Sequence, residues 1–339
     1  MKDTHIYHNT IIIFLSTFNY CIIKGRCLFW RRKVMMDNIL NQIFVLTVLM
    51  VVGIILRKKN VITDEVSKGM TNILMGVALP CLIISSFNIK FTKDMARNSI
   101  NMIIYSTIVH MMLLAVSSLL FLKMEDKEKS IFKFCMIFSN CGFVGYPIAQ
   151  ALYGDIGVFY TSIFTIPQNI FVWSYGVMLF SGERGLKSIK NSFKNPPVIA
   201  VLLGCLIFIF SIPIPKPVLS TLKSVGNMTT PVAMFIIGAM LADSKVKEIL
   251  SDKKVYLASF MRLIVAPALT VAVLILIKAD KEMINICTIL ISMPAAILLG
   301  IFAEKYDGDK KAASSAVFMT TVLSLITIPL VIAALNAVL

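Results

Sequence analysis

The chain has 339 residues, of which 58% are hydrophobic and 15% charged, with a mean hydropathy of +0.84. Soluble domains carry about 25% charged residues, so this composition excludes a soluble globular protein and sets the fold class as an all-α polytopic membrane protein. The formal net charge of +15 would point to nucleic acid in a soluble chain, but here the cations sit in short loops between apolar stretches, and no nucleic-acid partner is expected.

Residues 1–36 form an N-terminal extension whose apolar part, 10–23, is shorter than a membrane span and is followed by no small-residue cleavage pattern. Translation from Met35 or Met36 is the expected reading, with an eleventh, marginal helix as the alternative. Ten apolar segments follow, near 38–56, 67–88, 98–122, 131–153, 156–181, 196–213, 218–242, 255–277, 283–304 and 312–338. Each is read as a helix able to cross about 30 Å of hydrocarbon.

The loops after odd-numbered spans hold nineteen lysines and arginines, among them Arg57, Lys58, Lys59, Lys253 and Lys254, against seven on the other side. Basic loops stay in the cytoplasm, so both ends of the ten-span unit are expected outside the cytoplasmic membrane. The seven cysteines show no C-x-x-C pair and read as small packing residues.

Pro80 in span 2 and Pro231 in span 7 are offset by 151 positions; Gly142 and Pro294, and likewise Asp155 and Asp307, are offset by 152. Such weak self-similarity marks a structural repeat. The expected division is a first five-helix repeat at 37–181, a cytoplasmic linker at 182–195 and a second repeat at 196–339. Five is odd, so the second repeat enters the membrane from the opposite side, and the two repeats are inverted.

Span 4 holds Asn140, Gly142, Gly145, Tyr146 and Pro147, and span 9 holds Pro294, Ala295 and Ala296. Glycine and proline do not sustain a helical ladder, and broken helices persist at membrane depth only inside protein or along a wet cavity. Two breaks in matching places point to a substrate site. The half-helices after Pro147 and after Pro294 are expected to turn free N–H groups inward, where helix N-termini attract anions, with Ala295 and Ala296 leaving room for a ligand. For any single proline, packing and kinking is the commoner reading; the pairing is what favours a site.

Asn169, beside the helix-breaking Pro167, is a further candidate. Gln168, Asn72 and Asn227 are amides that either line the same cavity or tie helices together. Arg262, about seven residues into span 8, is expected to snorkel to the headgroups; the alternative is that it faces the bundle and lends positive potential to an anion. No aspartate or glutamate lies in the middle of a span, which disfavours cation antiport through a buried carboxylate. No metal-ligand spacing, H-E-x-x-H or intramembrane aspartate pair supports an enzyme, so neither cofactor nor metal site is expected.

Three stretches carry a family resemblance: GIILRKKNVITDEVSKGMTNILMGVALPCLIISSF after span 1, SNCGFVGYPIAQALYG in span 4, and SMPAAILLGIFAEKYDGDKKAASSAVFMTTVLSLITIPL at the end. In this order they resemble the auxin efflux carrier family, bacterial relatives of the plant PIN transporters, which includes proteins regarded as malate or malonate permeases. The resemblance covers about 38–338. It implies the fold shared with sodium/bile-acid symporters: ten helices in two domains, broken crossover helices 4 and 9, a scaffold of spans 1, 2, 6 and 7, and an elevator-like movement. It carries functional roles onto Asn140, Gly145, Pro147 and Pro294. The chain departs from the pattern at Ile297 and Leu298, in a region that often carries a polar amide.

The expected function is secondary transport of a small organic anion, a carboxylate such as malate, malonate or an auxin-like acid, by alternating access. The alternatives are a sodium-coupled symporter of the bile-acid type and a membrane receptor that binds without transport, the latter disfavoured by loops too short to hold a domain. Expected partners are the organic anion, the lipid bilayer and a coupling ion, H+ or Na+, with a homodimer left open.

Overall fold

In hydrocarbon every backbone N–H and C=O must find its partner within the protein, so long apolar segments fold as helices. In the computed structural model, which describes residues 41–122, 124–181, 195–244 and 246–338, these residues are helical, and the sole strand-like feature among them is one isolated bridge, Ser139 to Ala295. The readings of the 1–36 extension and of the linker at 182–194 fall outside the described residues.

The helices are α1 (Asn41–Lys58), α2 (Asp64–Ser86), α3 (Lys93–Leu120), α4 (Asp126–Ile137), α5 (Cys141–Ser181), α6 (Pro196–Ile209), α7 (Lys216–Ala242), α8 (Val246–Ser251), α9 (Lys253–Leu276), α10 (Lys281–Ile291), α11 (Leu298–Lys305) and α12 (Lys310–Val338). Among the described residues, seven of them, α1, α2, α3, α5, α7, α9 and α12, are long and apolar enough to cross a membrane, and α6 is a shorter apolar helix. Thr63 and Thr92 begin α2 and α3 by accepting the amides of Val66 and Met95, each satisfying an otherwise orphaned first-turn donor.

At 41 residues α5 would run for about 60 Å if straight, twice the hydrocarbon thickness. It is bent at Gly154, whose φ of 62° and ψ of −146° lie outside the helical region. A side chain is strongly disfavoured there. The bend falls between the expected spans 131–153 and 156–181, dividing α5 into a first arm, 141–153, and a second arm, 155–181.

Prolines inside the long helices are absorbed in a regular way. Pro80, Pro147 and Pro267 each stand two residues beyond a π-helical turn, at Leu74–Ala78, Cys141–Gly145 and Met261–Val265. A proline removes one donor and its ring crowds the carbonyl four residues back; a locally widened turn relieves both. These prolines widen their helices and do not break them.

Close helix contacts are made through glycine. A Cβ on Gly238 of α7 would lie 2.1 Å from the Met50 carbonyl oxygen of α1, and one on Gly53 would lie 2.6 Å from that of Phe235. At the end of the same two helices, Arg57 donates from Nε to both carboxylate oxygens of Asp243 (2.8 and 3.0 Å) and from Nη1 to the Ile62 carbonyl, and it also pairs with Asp64. The largest core cluster is rich in phenylalanine, with Phe134, Phe138, Phe159 and Phe164 fully buried.

Candidate functional site

Four of the short segments adjoin one another in pairs: α4 and α10 rise about 18 and 16 Å, α11 about 12 Å, and the first arm of α5 about 20 Å, each less than a bilayer. They are paired end to end across two interruptions, 138–140 between α4 and α5 and 292–297 between α10 and α11. The two interruptions meet. Their backbones run antiparallel and exchange two hydrogen bonds, Asn140 N to Pro294 O at 2.8 Å and Ala296 N to Phe138 O at 3.0 Å. Each unwound segment thereby satisfies groups that the other would leave orphaned, the condition for irregular backbone at this depth.

The first interruption is held by side chains. Gln168, on the second arm of α5, donates from Nε2 to the Ser139 carbonyl at 2.8 Å and accepts from the Ser139 hydroxyl and the Cys141 thiol, both at 3.2 Å. Asn140 caps the restarting helix, its Oδ1 accepting the Phe143 amide at 3.1 Å. The ordinary partner of the Gly142 amide, four residues back, is the Phe138 carbonyl, which is taken by Ala296. A Cβ on Gly142 would meet nothing within 4 Å. Gly142 thus lines the cavity described below, in the first turn of a helix, at its positive end.

The second interruption is held differently. The Ala295 amide donates to the Thr320 hydroxyl of α12 at 3.2 Å, and the Ala296 amide is used by Phe138. Behind both interruptions lies Arg262 of α9, with no exposed surface. Its Nε donates to Met293 O and its Nη1 to Met136 O, both at 2.9 Å, and its Nη2 donates to Ile291 O.

In front of the crossing is a cavity of about 330 Å³. Four elements wall it at intervals of four residues: Ser67, Thr71, Met75 and Leu79 of α2; Thr165, Asn169 and Trp173 of α5; Pro197 and Val201 of α6; and Ile236 and Met240 of α7. From the crossing its lining takes a polar set, Ser139, Asn140, Gly142 and Gln168, and an apolar set, Ala296, Ile297, Leu298 and Ile301. The α2 stripe alone extends it by about 18 Å along the helix. Asn140 and Ile297 also border a smaller cavity of about 100 Å³ that continues to Ser244 and Ser314.

Of the residues singled out by sequence, Asn140, Gly142, Tyr146, Gln168, Asn169 and Ala296 line the cavity, whereas Gly145, Pro147, Pro294, Ala295, Asn72, Asn227 and Arg262 do not. The restart of the first half-helix lies at Cys141 and not after Pro147, because the π-turn accommodates the proline while Ser139 and Asn140 provide the break and the cap. The amides after Pro294 are not free at Ala295 and Ala296, since Thr320 and Phe138 take them. Gly145 is a packing glycine, its Cβ position 3.3 Å from Cys141 Cβ and 3.4 Å from Leu290. Asn72 and Asn227 are exposed on the outer surface. Arg262 does not snorkel: three backbone carbonyls hold it in the interior.

Sequence reasoning passed over Ser67, Thr71, Thr165 and Trp173. The i, i+4 spacing of Ser67 with Thr71, and of Thr165 with Asn169 and Trp173, was the available signal, because it sets those side chains on one helix face.

Comparison with known proteins agrees with this geometry. The sequence matches the family described as "Membrane transport protein" over residues 38–193 and 183–332. It is similar to an uncharacterized transporter of Methanocaldococcus jannaschii, 24% identical over 306 residues that cover 86% of this chain and 97% of the relative. It is also similar to an uncharacterized transporter of Methanothermobacter thermautotrophicus, 24% identical over 292 residues covering 84% and 94% of the two chains. Helices long and apolar enough for a bilayer, an interior crossing of interrupted segments and this match together place the chain in the membrane transport protein family, that of the auxin efflux carriers, as a multi-pass membrane protein.

Proposed function

We propose that this protein is a secondary transporter that carries a small organic anion across the cytoplasmic membrane by alternating access, holding the carboxylate at Asn140 and the Gly142 amide. The observation that carries this reading is the antiparallel meeting of the two interruptions at the end of an open cavity. Transporters bind at such midplane breaks because helix N-termini present unpaired N–H groups and a positive dipole end.

The two interrupted pairs, α4 with the first arm of α5 and α10 with α11, each make one crossing, which brings the crossings to ten in two inverted repeats. A contact pattern supports this division. Gly53 packs on Gly238, and a Cβ on Gly204 would lie 2.5 Å from the Phe87 ring; both members of the first pair are related to the second by 151 positions, the offset of Pro80 and Pro231. Ser67 and Asn195, which line the cavity, stand at helix ends that adjoin basic loops, so by the positive-inside rule that end of the cavity lies toward the cytoplasm. The scaffold side is α1, α2, α6 and α7, and the crossing belongs to the moving side.

The lining favours one class of anion. Among the described residues it holds hydroxyls, amides and many apolar groups but no lysine or arginine, so the amide-rich lining suits one carboxylate and the Ile297, Leu298 and Ile301 lining suits an apolar body. A second carboxylate would be desolvated without a partner, at a cost of several kcal/mol. Uptake and counterflow in proteoliposomes test the proposal: aromatic or aliphatic monocarboxylates are expected to be carried in preference to malate and malonate. Absence of uptake and of counterflow for every organic acid tried, in protein that remains folded, rules the reading out.

A further inference from the structure

Arg262 is a full positive charge in the interior, and among the described residues no carboxylate pairs with it. Desolvating such a charge is expensive unless other groups compensate it. The compensation comes from an unusual source. Met136 is in the last turn of α4, Ile291 is the last residue of α10, and Met293 is in the unwound segment beyond it. All three nitrogens of the guanidinium therefore point at carbonyls on the C-terminal ends of the two half-helices. Each such end carries about half a negative charge, so the two together roughly match one cation.

In broken-helix transporters, half-helix C-termini and unwound carbonyls are the ligands of a coupling cation. Here a side chain occupies that place. We propose that the Arg262 guanidinium is a built-in substitute for a coupling sodium ion: it fills the cation position of the crossing, neutralises both half-helix C-termini permanently, and leaves a net positive field on the cavity side. This rests on the transporter reading above in its functional meaning, although the cation position itself is a matter of geometry. It follows that no sodium ion enters at this position. Arg262 is the second residue of the π-turn at Met261–Val265, which ends two residues before Pro267.

The test uses the purified full chain in detergent and reads thermal midpoints in sodium chloride and in choline chloride of equal ionic strength. Wild type is expected to show no difference between the two salts. Arg262→Ala opens the cation position and is expected to melt lower, then to regain at least about 2 °C on addition of sodium or of low-millimolar guanidinium, because binding to the folded state alone raises the midpoint. Sodium-dependent stabilisation of wild type, or a folded Arg262→Ala protein indifferent to both cations, overturns the proposal. If Arg262→Ala does not fold, Arg262→Lys and Arg262→Gln decide it: a lysine variant more stable than the glutamine variant supports a charge requirement, and equal or reversed stability refutes it. None of these measurements uses a transported solute, so failure of the uptake assay and failure of this proposal are separate results.

Discussion

The two interruptions solve one problem by different means. At 138–140 the unwound backbone is held by amide side chains, Gln168 on Ser139 and Asn140 on Phe143; at 292–297 it is held by a hydroxyl, Thr320 on Ala295, with Arg262 behind. The first borders the cavity with polar atoms and a helix start, whereas the second borders it with Ile297 and Leu298. Similar topology thus produces chemically unequal halves, a polar first interruption and an apolar second one, and it is this inequality on which the proposed anion site rests.

The comparison breaks most readily at Gly142. A Gly142→Leu side chain meets no protein atom near its Cβ and projects toward the cavity; overpacking typically costs 1–3 kcal/mol, so substrate affinity is expected to fall by about five- to a hundredfold, with the melting temperature near wild type. Uptake at wild-type rates in this variant removes the site from the first interruption.

Gln168→Leu comes next. It removes three buried hydrogen bonds, to the Ser139 carbonyl, the Ser139 hydroxyl and the Cys141 thiol, and leaves Ser139 only its contacts with Cys141; the stability loss is expected at about 1–3 kcal/mol, read as a lowered thermal midpoint. A midpoint within error of wild type means that the backbone pairing alone maintains the break. Asn140→Ala removes a cap worth about 1 kcal/mol together with the proposed carboxylate contact, so uptake is expected to drop several-fold more than stability does. Equal losses in both measurements make Asn140 a structural cap only.

Smaller effects are expected on the other side of the comparison. Thr320→Val leaves the Ala295 amide without its acceptor, while the pairing of Ala296 with Phe138 remains, for a loss of about 0.5–1.5 kcal/mol and little change in substrate preference. Ile297→Asn adds an amide to the apolar wall and is expected to narrow the gap between monocarboxylates and dicarboxylates in competition assays. An unchanged ranking shows that the second interruption does not contact the solute.

Helix-forming apolar stretches were legible because span length and hydrophobicity are local properties, and the bend at Gly154 fell between two expected spans. The paired breaks were legible for a similar reason: Gly142, Pro147 and Pro294 announce backbone that does not continue as an ordinary helix. Where the first break lies was not legible. Ser139 and Asn140 have no intrinsic tendency stronger than that of Pro147 to end a helix, and they do so because Gln168, 29 positions on, and Pro294, 154 positions on, supply partners for their backbone.

What the sequence determined by itself is therefore the medium and the period: a chain this apolar belongs in a bilayer, it has to be helical there, and its helices are interrupted in two places. Only the tertiary structure decided what those interruptions do. An arginine seven residues into a helix has the same local sequence whether it snorkels or is clamped, and the outcome was set by three carbonyls that come from α4, α10 and the segment after it. Hydrogen-bond partners and helix-end charge are properties of the assembled bundle, which is why the polar cavity lining and the clamped arginine of the crossing appear only once its helices are in place.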